Sequence, residues 1–202
     1  MNLPYQKIGN SLFICSIESV EKYLSMEQKK AIIASFITPI TANNKIQEKI
    51  AIRYLLQQIQ PFAVLQYHTY KKPYLENSKV WISISHSKDK AAIGLHSAPI
   101  GIDIQAIQDK IVGIASKFVH TMDYLPNSTP TTLTIIWAAK ESIFKYYSPH
   151  YLSFKEDIHI LFINNNYLKI AVKLPTTTVL HTVYYSIVEQ DYVVCSTSIG
   201  SL

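Results

Sequence analysis

The order in which periodic segments follow one another constrains the fold of this 202-residue chain more than any single motif does. In the first half, a strand pattern is followed by two segments with helical periodicity and then by three short strand patterns. These predicted elements cover residues 11–17 (strand), 20–36 and 41 or 43 to 59 (helices), and 63–70, 80–85 and 91–96 (strands). Pro61 stops the second helix, and residues 87–90 form a hairpin turn.

The same order starts again after Pro99. The predicted elements of this second half are a strand at 100–104, helices at 110–119 and 131–147, and strands at 157–163, 167–174, 179–188 and 192–199. The repetition predicts an α+β fold built as a pseudo-dimer of two similar lobes, an N-terminal lobe at 1–98 and a C-terminal lobe at 99–202. We expect a ligand cleft between the two lobes, because clefts of this kind are common binding sites.

Composition excludes several classes of protein. With 48% hydrophobic and 16% charged residues the chain is too apolar for extended disorder, and no uncharged apolar run approaches the roughly 20 residues of a membrane span. The N-terminus lacks the pattern of a secretory signal, and Cys15 and Cys195 are too few for a disulfide framework. A cytoplasmic location without a membrane partner is therefore expected.

The net charge of +5 favours an acidic partner. All but one of the nineteen basic residues are lysine, whereas proteins that read nucleic acids depend on arginine for bidentate contacts. We therefore expect no nucleic-acid partner. The single arginine, Arg53, is a candidate for a binding role.

A strand with one polar face follows Pro99. In residues 100–105, with the sequence Ile-Gly-Ile-Asp-Ile-Gln, the isoleucines alternate with other residues, so Asp103 and Gln105 share the opposite face and can hold a cation there. Gly101 has no side chain and would let a ligand approach Asp103 closely. A surface aspartate on a half-buried strand is the alternative.

A charged motif lies inside the second predicted helix of the C-terminal half, at residues 137–145 (Trp-Ala-Ala-Lys-Glu-Ser-Ile-Phe-Lys). Glu141 and Lys145 are four residues apart with the acid first, a spacing that also fits a solvent-exposed helical salt bridge. Trp137 is more typical of a core residue than of a functional one. The motif becomes informative only in combination with Asp103.

A strand ends in a polar turn at residues 83–87 (Ser-Ile-Ser-His-Ser), which leaves Ser85 and His86 where side chains commonly meet ligands. His86 can donate a hydrogen bond to a phosphate oxygen, although a histidine satisfied within its own turn is the alternative. No serine lies in a Gly-x-Ser-x-Gly elbow, so the sequence does not support a serine hydrolase.

In their order and spacing, five short segments resemble those of 4′-phosphopantetheinyl transferases of the surfactin-synthetase-activating type. They are Lys72-Pro73-Tyr74, residues 83–87, residues 100–104, Lys117-Phe118 and residues 137–145. The resemblance covers roughly residues 71–147, and only the element order supports it elsewhere. It implies the family's pseudo-dimeric fold, with coenzyme A bound between the lobes. The implied reaction moves the 4′-phosphopantetheine arm to a serine of a carrier protein and releases adenosine 3′,5′-bisphosphate.

The resemblance also implies a metal site. Asp103 and Glu141 become ligands of Mg²⁺, which prefers one or two protein carboxylates completed by phosphate oxygens and waters. Gln105 stands where better-known members have a glutamate, so we expect a weaker metal site rather than an inactive one. Lys140 and Lys145 are implied to hold pyrophosphate oxygens, and Glu141 is the candidate acceptor of the serine proton.

Further residues are implied to bind coenzyme A. Ser85 and His86 match positions that touch the nucleotide phosphates, and Lys72 matches a lysine at the cleft entrance. Arg53 lies in the second helix of the N-terminal half, where members of the family carry basic residues for the coenzyme A phosphates.

The implied partner is an acyl or peptidyl carrier protein with an acidic helix beside its target serine, and a chain with two fused lobes is expected to be a monomer. Two other functions remain open from the sequence. A non-catalytic module that binds coenzyme A or a carrier protein is compatible with Gln105, because folds host more than one function. A basic nucleic-acid binding module has only the net charge and the aromatic content in its favour.

Overall fold

The computed structural model describes residues 5–35, 42–147 and 152–197. The helices are α1 (Ile17–Tyr23), α2 (Met26–Ala34), α3 (Asn43–Ile59), α4 (Pro130–Tyr147) and a 3₁₀ helix at Asp109–Lys117. The strands are β1 (Tyr5–Ile8), β2 (Leu12–Ser16), β3 (Leu65–Tyr67), β4 (Pro73–Leu75), β5 (Trp81–Ser87), β6 (Lys90–His96), β7 (Ile102–Ala106), β8 (Ile158–Ile163), β9 (Tyr167–Lys173), β10 (Thr178–Val188) and β11 (Tyr192–Ser196). The predicted α+β class is confirmed.

The strands form two larger sheets with related topology. The first has the order β1-β2-β6-β5, and the second has the order β7-β11-β10-β9-β8. In both, an early strand lies beside the last strand of its half, and that last strand pairs with the one before it (β2-β6-β5 and β7-β11-β10). The hairpin of β3 and β4 forms a separate small sheet that lies against β5. At the corresponding place in the second half, β9 and β8 continue the second sheet beyond β10. This common order is what a pseudo-dimer predicts.

Three hydrophobic clusters form the interior. One lies between the first sheet and helices α1, α2 and α3, and a second lies between the second sheet and α4. The third joins the two sheets and includes Leu12 and Ile14 from β2 together with Ile102 and Ile104 from β7. Because side chains alternate along a strand, the isoleucines of β7 face the other sheet and Asp103 faces α4.

Two of the predicted helices differ from the observed ones. The helix predicted at residues 20–36 is two helices, because Ser25 and Gln28 form a capping box that starts α2. The helix predicted at 110–119 is a 3₁₀ helix. In the N-terminal half, Ala42 occupies the N-cap position of α3 without a side-chain hydrogen bond.

Other boundaries also differ. The strand predicted at residues 63–70 is confined to β3, and β1 and β4 were not predicted. Phe36, Thr41 and the end of the last predicted strand lie outside the described residues. Among the described residues, no helix is long and apolar enough to cross a bilayer.

Candidate active site

A close approach between α4 and the start of β7 builds the candidate site. At Gly101, an added Cβ would lie 1.9 Å from the carbonyl oxygen of Ser142 and 2.6 Å from the backbone nitrogen of Tyr146. Only glycine fits there, so the helix backbone fills the space that the sequence analysis assigned to a ligand. The contact brings one face of α4, with Glu141 and Lys145, over β7.

The α4 helix begins at a clear signal. Thr129 accepts a hydrogen bond through its side-chain oxygen from the amide of Thr132, and Pro130 occupies the first helical turn. The helix then runs through Tyr147, so Glu141 and Lys145 lie one turn apart on the same side.

Asp103 is the buried centre of the site. Asp103 is 4% exposed, and its Oδ1 accepts hydrogen bonds from Ser85 Oγ at 2.6 Å and from Lys145 Nζ at 2.7 Å. Lys145 Nζ also donates to Ser85 Oγ at 2.9 Å. The second carboxylate oxygen, Oδ2, is buried and accepts no hydrogen bond from any described residue. A buried carboxylate oxygen without a partner is costly, so this atom is a candidate ligand for a bound cation.

Glu141 lies close enough to Asp103 for the two carboxylates to interact. Burial and, to a smaller extent, the negative charge of Asp103 raise the pKa of Glu141 to about 7, while Lys145 acts in the opposite direction. The carboxylate of Glu141 accepts no hydrogen bond from the described part of the chain. The site therefore joins two carboxylates whose mutual repulsion is only partly relieved by one ammonium group.

This donor set fits a small divalent cation. Asp103 Oδ2 lacks a partner among the described residues, and the positive charge of a bound cation would oppose the effects that raise the pKa of Glu141. Within the described ranges no three His, Cys, Asp or Glu side chains cluster as metal ligands, so further ligands must come from elsewhere. Gln105 lies on the same face of β7 as Asp103 and is half-buried, and its side chain forms no hydrogen bond with a described residue. An ion with many oxygen ligands from phosphate and water satisfies these conditions.

Ser85 and His86 point to opposite sides of β5. Ser85 faces β7 and is buried, whereas His86 is half-exposed and has its Nε2 3.4 Å from Glu48 Oε2 of α3. The two neighbours therefore do not share one surface, and only Ser85 belongs to the cluster around Asp103.

Lys72 connects the N-terminal half to α4. Its Nζ donates a hydrogen bond to the carbonyl oxygen of Tyr146 at 3.0 Å and lies 5.5 Å from the centroid of the Trp81 ring. Burial lowers the pKa of Lys72. A cation at the last turn of a helix is favourable, because the helix dipole places partial negative charge there.

Arg53 contacts its own half of the chain. Its Nη1 donates to the carbonyl oxygen of Leu65 in β3 at 3.1 Å, and burial lowers the pKa of Arg53. Its described contacts thus lie with β3 and not with Asp103, Glu141 or Lys145.

The structure contradicts the predicted role of Lys140. The side chain is fully buried, and its Nζ donates to Asp123 Oδ2 at 2.7 Å, to the Phe118 carbonyl at 2.8 Å and to the Phe154 carbonyl at 3.0 Å. An ammonium group with three acceptors inside the core is not available to a pyrophosphate. Lys140 directly precedes Glu141 in α4, so its side chain is turned about 100° around the helix and away from the site.

Sequence reasoning missed Asp123 altogether. Its two carboxylate oxygens accept from Lys140 Nζ, from the amide of His120 and from the amide of Ile160, so it ties three segments together. Its partners Lys140 and Ile160 are distant in the sequence, so no local pattern marks these contacts. The one available signal was Lys140 itself, since a lysine in an apolar stretch of helix needs an acid.

A model of the 4′-phosphopantetheinyl transferase superfamily matches residues 99–197, which contain β7, α4 and every strand of the second sheet. This match supports the sequence resemblance to that superfamily over the C-terminal half of the chain. Among curated proteins it is similar to the 4′-phosphopantetheinyl transferase gsp of Aneurinibacillus migulanus, with 23% identity over 154 residues. The match covers 72% of this chain and 65% of the length of that relative.

Proposed function

We propose that this protein transfers the 4′-phosphopantetheine arm of coenzyme A to a serine of an acyl or peptidyl carrier protein. The observation that carries the proposal is the meeting of Asp103, Glu141 and Lys145 between β7 and α4, with Asp103 Oδ2 unpartnered among the described residues. The superfamily match covers the elements that hold all three.

Asp103 and Glu141 would hold Mg²⁺, with the amide oxygen of Gln105 as a further candidate ligand. When bound, the ion supplies positive charge next to the pyrophosphate. Lys145 is partly exposed at the same place, so its ammonium can bind a pyrophosphate oxygen as negative charge moves to the leaving group.

The proposed reaction is a direct displacement. The serine oxygen of the carrier protein bonds to the phosphorus that bears pantetheine, the bond from that phosphorus to the bridging oxygen breaks, and adenosine 3′,5′-bisphosphate leaves with the electron pair. Glu141 accepts the serine proton, directly or through a water molecule.

Further expectations from the sequence extend this proposal. His86 and Arg53 stay candidate coenzyme A ligands, together with Lys72 at the lobe junction, and the lobes are divided at residues 98 and 99. Cys15 and Cys195 are both free and buried, which supports the reducing environment of the cytoplasm. We expect a monomer, a carrier protein with an acidic helix, and neither nucleic acid nor membrane as a partner.

The test is to incubate the protein with coenzyme A, Mg²⁺ and a panel of apo carrier proteins and to weigh the products by mass spectrometry. The addition of one phosphopantetheine group is expected, and folded Asp103→Ala and Glu141→Ala variants should lose it. Glu27→Ala, which removes an exposed acid of α2, is the matched control. Binding of coenzyme A without transfer to any carrier would favour the non-catalytic module instead, and near-normal turnover by either site variant would contradict the metal assignment.

A further inference from the structure

Three serines of β5 form a row along β7. Ser83, Ser85 and Ser87 lie two residues apart on one face of β5, and all three are buried. Each accepts a hydrogen bond through its Oγ from a backbone amide of β7: Ile102 at 3.0 Å, Ile104 at 3.2 Å and Ala106 at 3.0 Å. The serines therefore satisfy the exposed amides of an edge strand across the boundary between the two halves.

Ser85 differs from the other two in its further contacts. Its hydroxyl donates to Asp103 Oδ1 at 2.6 Å and accepts from Lys145 Nζ at 2.9 Å. Among the described residues, the hydroxyls of Ser83 and Ser87 form hydrogen bonds only with the β7 amides. One serine out of three thus touches both a carboxylate and an ammonium of the candidate site.

The hydrogen-bonding capacity of Ser85 is fully used. A hydroxyl can donate once and accept twice, and this one donates to Asp103 and accepts from Ile104 N and Lys145 Nζ. The direction of its proton is therefore fixed toward Asp103. The hydroxyl has no lone pair or proton left for a phosphate, which argues against the nucleotide contact expected from the sequence.

We propose that Ser85 is a positioning residue, which holds Asp103 and Lys145 in place so that Asp103 Oδ2 stays directed into the site. Oδ1 is occupied by Ser85 and Lys145, so the carboxylate has one defined rotation and one oxygen left for a ligand. The part that concerns a bound cation rests on the proposed function. The part that concerns the side-chain arrangement does not.

The row of serines provides matched controls. Ser83→Ala and Ser87→Ala each remove one acceptor of a β7 amide, which is also one consequence of Ser85→Ala. Any effect of Ser85→Ala beyond theirs comes from the contacts with Asp103 and Lys145. Ser85→Cys retains a side chain of similar shape with a much weaker hydrogen-bonding group, and it replaces Ser85→Ala if that variant does not fold.

The first measurement is a crystal structure of each ligand-free variant. We expect Asp103 to keep its conformation in Ser83→Ala and Ser87→Ala. In Ser85→Ala the carboxylate should rotate and the 2.7 Å contact with Lys145 should lengthen. An unchanged Asp103 in Ser85→Ala would overturn the proposal, whatever the protein's activity is.

The second measurement is the binding of Mn²⁺, followed by the electron paramagnetic resonance signal of the free ion, with coenzyme A present and no carrier protein. Ser85→Ala should bind Mn²⁺ about 10- to 100-fold more weakly than the wild type, the usual effect of removing a group that orients a metal ligand. The two control variants should bind it as the wild type does. Equal binding by Ser85→Ala and Ser83→Ala would contradict a positioning role for Ser85 toward the cation, whereas a wild type that neither binds Mn²⁺ nor transfers would contradict the proposed function.

Discussion

Glu141 is held in a position that disfavours its charged form. Burial and the charge of Asp103 raise the pKa of Glu141 to about 7 from a usual value of 4.5. The folded protein therefore holds this proton more tightly than the unfolded chain does, and the stability gained from it is fully present only below about pH 4.5. That stability is lost as the pH rises through about 7.

This gives a prediction for the metal-free protein. Glu141→Gln cannot ionise, so its melting temperature relative to the wild type should increase as the pH rises from about 4.5 to about 7 and stay constant above that. Differential scanning calorimetry at a series of pH values measures it, and effects of other groups cancel in the difference. A difference that does not vary with pH would mean that burial and the charge of Asp103 do not raise the pKa of Glu141 in the folded protein.

Gln105 offers a prediction about metal affinity. Gln105→Glu would place a third carboxylate on the face of β7 that holds Asp103, so the Mg²⁺ concentration for half-maximal transfer should fall. Gln105→Ala should cost much less activity than Asp103→Ala. Magnesium titrations at several fixed coenzyme A concentrations measure both. The same magnesium dependence in all the Gln105 variants would show that this side chain does not face the metal.

Lys140 leads to a prediction about stability instead of binding. Lys140→Met removes the partner of the buried Asp123, and breaking a buried ion pair from one side typically costs about 3–5 kcal/mol of unfolding free energy. Lys22→Met is the control, because its pair with Glu18 is exposed and should contribute about 0–1 kcal/mol. Urea denaturation compares the two variants. Similar small losses in both would contradict the structural role.

The sequence identified residues of the candidate site better than it identified the contacts that these residues make. Alternation along a strand singled out Asp103, whereas the roles expected of Glu141 and Lys145 came from the family resemblance, and the structure brings the three side chains together. The position of Lys140 could not be predicted, because neighbouring helical residues differ in direction and its acid lies 17 residues away. The contacts of Ser85 were equally hidden, since they depend on how the two sheets meet.

The contact between β7 and α4 sets the geometry of the site at the scale of elements. Gly101→Ala would force the helix backbone away from the strand, because the new Cβ would overlap the carbonyl of Ser142. Overpacking of this kind typically costs about 1–3 kcal/mol, and here it also separates Glu141 from Asp103. We therefore expect both a lower melting temperature and a loss of transfer.

The control for this variant is Gly113→Ala in the 3₁₀ helix, where an added Cβ would meet nothing within 4 Å. Transfer by Gly113→Ala should equal that of the wild type. If Gly101→Ala also retained full activity, the distance between α4 and β7 would not control the site.

Long elements with a strong period were predicted well. The helices α3 and α4 and the hairpin of β5 and β6 lie close to where the sequence placed them. The short strands β1 and β4 were not predicted, because they have only four and three residues and therefore little internal pattern. The break between α1 and α2 was missed although Ser25 and Gln28 form a recognisable capping box.

The charge of the whole molecule gives the last prediction. With a net charge of +5, association with an acidic carrier protein should weaken as salt screens the interaction. The Michaelis constant for the carrier should therefore rise between low and physiological ionic strength, while that for a neutral carrier peptide should change little. A constant value for the acidic carrier would mean that recognition depends on other contacts.

The related topology of the two halves has a consequence for symmetry. In a dimer of identical subunits every contact occurs twice, so any residue suited to one site must also be tolerated at its copy. A single chain is free of that condition. Where β7 presents Asp103 to its helix, the corresponding strand β2 presents Phe13 and Cys15 to α1 and α3, and packs them there as core. Under the proposed function, one half packs this strand face as core while the other uses it for the site, a difference that two identical subunits could not show.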